Sequence, residues 1–161
     1  FRLLFTRPVS KVTVYSSKIV FLLEIIFISS LIGYLTFLLS GFALDKLLPG
    51  YKFSSYNVNT LMVSYFSYLF IALSAVSFIQ YNLSLIFKSF VLPIGFASLM
   101  TIFGIIAQNK DYAYLIPYST VWRLNHCVYS GIINFSKSEY ASIAYVPFFI
   151  VISFFVFIRK K

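Results

Sequence analysis

The run IVFLLEIIFISSLIGYLTFLLSGFAL, residues 19–44, carries a single charged side chain, Glu24. A bilayer's hydrocarbon core is about 30 Å thick and needs about 20 apolar residues of α-helix to cross it. Residues 19–44 exceed that length, so the run reads as a membrane helix with room to tilt. Three more segments read the same way, at about residues 60–79, 90–107 and 140–158. Pro93 stands near the start of the third, where a missing N–H costs little. Pro147 lies inside the fourth and is expected to kink it. The expected fold is all-α: a polytopic transmembrane helix bundle forming one domain over residues 1–161, with four membrane helices.

Composition leads to the same solvent. The 161 residues are 60% hydrophobic, 21% aromatic and only 11% charged, with a mean hydropathy of +0.90. A soluble domain uses about 25% charged residues to cover itself. The net charge of +9 would suggest nucleic acid in a soluble protein. Here the cations border apolar runs, which is how they orient membrane helices, so no nucleic-acid partner is expected.

Two sets of loops can be compared, because successive helices alternate direction. The opening strip, the Lys88 loop and the Arg159-Lys160-Lys161 tail hold eight Lys or Arg and no acid. The other set holds five cations (Lys46, Lys52, Lys110, Arg123, Lys137) and three acids (Asp45, Asp111, Glu139). The positive-inside rule places the first set, and with it the C-terminus, in the cytoplasm. The expected location is the plasma membrane, multi-pass.

No phosphate-binding G-x-x-x-x-G-K-[ST] loop, H-E-x-x-H or G-x-S-x-G is present. His126 has no second histidine, and Cys127 is the only cysteine. No catalytic residue, metal ligand or cofactor is therefore expected in this chain.

Small residues and hydroxyls mark helix contact faces in lipid. Ser29, Gly33 and Ser40 share a side of the first helix, Ser64, Ser67, Ser74 and Ser77 a side of the second, and Gly95 and Ser98 begin a stripe on the third. Close packing or a polar substrate path would each use such stripes. Glu24, the one acid inside an apolar run, has two readings: pairing with Lys18 or a neighbouring helix, or a coupling role. The segment YLIPYSTVWRLNHCVYSGIINF is too polar to span and too aromatic for a free loop. Within residues 108–139 it reads as short helices at, or dipping into, the outer interface, with Trp122 and Arg123 at headgroup level. An ordinary packed external loop is the alternative.

The apolar run is preceded by FRLLFTRPVSKVTVYSSK, residues 1–18, with cations at Arg2, Arg7, Lys11 and Lys18. Val9, Val12, Val14 and Tyr15 alternate with polar residues, as in a short amphipathic element on the inner membrane surface. Anchoring to anionic lipids would also use its charge, at about 1 kcal/mol per cation.

This strip resembles the segment after the second membrane helix of ABC transporter type-2 permeases, including subunits of lantibiotic-immunity and bacitracin-type exporters. The matching residues are Phe1-Arg2-Leu3, Thr6-Arg7-Pro8-Val9-Ser10-Lys11 and Lys18. The resemblance implies a coupling element that docks on a separate ATP-binding cassette subunit, which holds the ATP. It assigns that contact to Thr6, Arg7, Pro8, Val9, Ser10, Lys11, Val12 and Tyr15. It also implies a second permease subunit, identical or not, two further helices upstream, and export of an antimicrobial peptide or lipid-like compound. A non-transporting membrane scaffold is the competing expectation.

Overall fold

The computed structural model describes residues 10–48, 50, 58–87, 89, 91–130 and 135–159. Thr6, Arg7, Pro8 and Val9 lie outside the described residues, as do Lys88 and the last two lysines. The described residues form α1 (Lys11–Leu47), α2 (Val58–Ile86), α3 (Val91–Ala107), α4 (Pro117–Ser130) and α5 (Lys137–Arg159), with a 3-10 turn at Asp111–Leu115. The fold is all-helical, as expected from sequence. By length and composition α1, α2 and α5 are long and apolar enough to cross a membrane.

The third expected span, which is α3, is shorter. Its 17 residues rise about 26 Å, less than the hydrocarbon thickness of about 30 Å. It stops because the chain tightens into successive three-residue turns: Lys110 N–H donates to the Ala107 carbonyl, and Ala113 N–H to that of Lys110, both at 2.9 Å.

Helix α1 starts at Lys11, eight residues before the apolar run. The strip is thus no separate surface element over Lys11–Lys18 but the first turns of a 37-residue helix. Ser10 caps it: its Oγ accepts the Thr13 N–H at 3.1 Å. The hydroxyls of Ser16 and Ser17 bond back to the Thr13 carbonyl, so these polar residues are satisfied within the helix. Those local bonds, and the packing on α5 described below, outweigh the low helix propensity of the β-branched residues.

The core lies along α2. Ala72, Ala75 and Phe78 are fully buried, and small residues there allow the close backbone approach that drives helix association in lipid. Asn82 ties α2 to α5, its amide donating to the carbonyls of Phe78 and Phe149 at 2.9 Å each. Within the chain the small-residue stripes are used only in part. Gly33 faces the ring of Phe66, and Ser74 is buried, bonded to the Phe70 carbonyl. Ser29, Ser40, Gly95 and Ser98 face outward.

The segment between α3 and α5 is helical, and α4 packs along α2 in the opposite direction. The Tyr118 hydroxyl meets the Gln80 amide near one end of α4, and the Tyr65 hydroxyl meets Asn125 near the other. Because Gln80 lies well past the middle of α2, α4 begins deep beside that helix.

Candidate functional site at the Lys11 to Lys18 end of the bundle

Lys11, Tyr15 and Lys18 fall at i, i+4 and i+7, one stripe of a helix. Once α1 begins at Lys11 that stripe faces the end of α5. Lys11 Nζ donates to the Ile158 carbonyl at 3.2 Å. The Tyr15 hydroxyl donates to the Ile150 carbonyl at 2.7 Å and lies 2.6 Å from Ser153 Oγ. Its ring stands edge-on to Phe154 at 5.4 Å and tilted to Phe157 at 5.6 Å. Lys18 Nζ sits 5.2 Å from the centre of the Phe157 ring. The start of α1 is therefore clasped to the end of α5.

Tyr15, one of the residues the resemblance assigns to the ATPase contact, is 5% exposed and packed against α5 within the chain. Val12 is 52% exposed, and Ser10 and Lys11 also lie on the outside, Lys11 with its ammonium bonded to the Ile158 carbonyl.

Glu24 does not pair with Lys18. The two are six residues apart, about 120° around the helix, and Lys18 is drawn to Phe157. The Glu24 side chain is exposed and has no hydrogen-bond or ion-pair partner among the described residues.

At the opposite end of α5, sequence reasoning missed a buried ion pair. Arg123 of α4 pairs with Glu139, which is wholly inaccessible. The same carboxylate accepts the Ser136 N–H at 2.7 Å and the Ser136 hydroxyl at 2.6 Å. Ser136 Oγ in turn accepts the Ser138 N–H at 3.3 Å. This is a capping box, and its signal, Ser136-x-x-Glu139 before an apolar run, was present in the sequence. Trp122, next to Arg123, is 37% exposed.

Tyr15→Phe tests the clasp. The ring packing stays and the hydroxyl's bond to α5 goes, so stability should fall by about 1 kcal/mol. Thermal unfolding of the purified protein in detergent measures it; an unchanged midpoint would mean the hydroxyl contributes nothing.

The sequence matches the family described as ABC-2 family transporter protein over residues 1–104. The match takes in the opening strip, α1, α2 and most of α3. No curated protein and no solved structure matches the chain. With a family match over more than half its length and a bundle of long apolar helices, the chain belongs to the ABC-2 family of transporter proteins, a multi-pass membrane permease.

Proposed function

We propose that this chain is the membrane subunit of an ABC exporter, driven by ATP bound to a separate ATP-binding cassette subunit. It works with a second permease subunit, and the Lys11–Lys18 end and the C-terminus face the cytoplasm. The observation carrying this reading is the clasp. The outer face of α1's first turns, with Ser10 and Val12 exposed, faces away from the bundle, while Lys11 and Tyr15 hold α5. A push on those first turns moves α1 and α5 together, and α5 reaches the other end of the bundle at Glu139. Closure of the ATPase subunits would supply that push. Arg7 and Lys11 offer cations to acidic groups on the ATPase, and Val12 an apolar knob.

The cargo in this reading is an antimicrobial peptide or a lipid-like compound, supported by the likeness of residues 1–18 to lantibiotic-immunity and bacitracin-type exporter subunits. The double substitution Arg7→Glu plus Val12→Asp tests the coupling contact. The variant should insert and purify normally, lose the co-purifying ATPase subunit, and lose protection of cells against the peptide. If the ATPase still co-purifies and protection persists, the assignment is wrong.

A further inference from the structure

A cavity of about 750 Å³ opens between α1, α2 and the start of α3. That volume lies in the range of about 300–1,000 Å³ typical of small-molecule sites. Its walls are mostly apolar, from Phe21, Leu22, Ile25, Val76 and Ile94 among others, and among the described residues Lys18 is the one charged side chain lining it. From Lys18 to Ile26 the wall runs about 12 Å along α1. Ser89 and Pro93, at the opening turn of α3, line the same space. Glu24, the nearest acid in sequence, is not among the lining residues.

An apolar slot lined, among the described residues, by a cation and no carboxylate has the complement of an amphiphile with an anionic head. We infer that this cavity binds an acyl chain of an anionic phospholipid, with the headgroup phosphate at Lys18. The hydrocarbon lies against Ile25 and Val76, and the phosphate meets the Lys18 ammonium at the membrane surface. Lys18 is already held over Phe157 at 5.2 Å, so little side-chain freedom is lost on binding. Because lipid occupancy needs neither ATP nor the ATPase subunit, the inference stands or falls apart from the proposed coupling.

Native mass spectrometry of the full-length protein in detergent, titrated with phosphatidylglycerol or phosphatidylcholine of equal chain length, tests it. One retained phosphatidylglycerol is expected, favoured over phosphatidylcholine by about fivefold, the effect of one cation at the surface. Lys18→Gln should abolish the preference and Lys18→Arg keep it. Phe157→Leu, which removes the ring under Lys18 but leaves the charge, should also keep it and so separates headgroup binding from the clasp. Ile25→Trp, which fills the slot, should reduce retention of both lipids. Excess inorganic phosphate should not displace the lipid. The inference is overturned if no lipid is retained, if the two lipids bind equally, if Lys18→Gln keeps the preference, if Ile25→Trp retains lipid as wild type does, or if phosphate alone competes.

Discussion

Glu139→Gln is expected to destabilise the protein by about 3 kcal/mol, with the damage centred where α4 meets α5. Glu139 is fully buried, and its carboxylate is surrounded by donors: Arg123, the Ser136 N–H and the Ser136 hydroxyl. The amide retains the shape but removes the charge and turns N–H groups toward a guanidinium. Arg123 then keeps a positive charge without its counterion, and its Nε has no hydrogen-bond partner among the described residues. Breaking a buried pair from one side costs about 3–5 kcal/mol. The low end applies because the Arg123 side chain is 24% exposed and regains some water. Thermal unfolding of wild type, Glu139→Gln, Arg123→Met and the double variant measures the coupling. The double variant should be more stable than Glu139→Gln alone, since removing both charges leaves no guanidinium without its counterion. Equal stability of Glu139→Gln and wild type, or a cycle with no coupling, would show that the pair holds nothing together.

The long helices were legible because a hydrocarbon slab imposes a length and an apolar composition that a single sequence displays. Residues 19–44 and 140–158 lie wholly inside α1 and α5. The start of α1 was harder to read. The Val, Ser and Thr between Lys11 and Lys18 read as a surface element by propensity, yet Ser10 caps a helix there and Tyr15 packs on a helix more than 130 residues away in the chain. Such a contact leaves no local trace beyond the i, i+4, i+7 stripe. Likewise, the segment holding α4 read as short helices at the outer interface. Its partners Tyr65 and Gln80 were not legible, since nothing in the sequence says which hydroxyl finds which amide. Arg123 read as a headgroup-level cation and Glu139 as an acid of the outer loop, because burial of a pair is a property of the fold. Gln80 and Asn82 read as loop residues because polar side chains end an apolar run, whereas α2 continues to Ile86 and their amide N–H groups donate to α4 and α5.

Two glycines separate kinds of close packing, and the second large effect is expected at one of them. A Cβ at Gly104 would stand 2.8 Å from the Tyr118 carbonyl carbon and 2.9 Å from the Ser119 nitrogen. Both are main-chain atoms, and that main chain is held: Ser119 N–H donates to the Ile116 carbonyl at 3.0 Å, and the Ser119 hydroxyl bonds to Ile116 and Ala113. The backbone has no rotamer to escape into, so Gly104→Ala must lift the start of α4 off α3. That movement also strains the bond between Tyr118 and Gln80 and uncovers Thr120 and Leu124, both buried in the wild type. Overpacking of this kind costs about 1–3 kcal/mol. At Gly33 a Cβ would meet Phe66 Cε1 at 2.9 Å, the far end of a side chain that can swing aside. Alanine there gains about 0.5–1 kcal/mol of helix preference over glycine, which offsets the ring's displacement. Gly33→Ala is thus expected to melt close to wild type and Gly104→Ala well below it, although each adds one methyl. Side-by-side thermal unfolding in detergent decides the matter. If the two variants melt together, α4 is not seated on α3 by backbone contact, and its position beside Gln80 must depend on side chains alone.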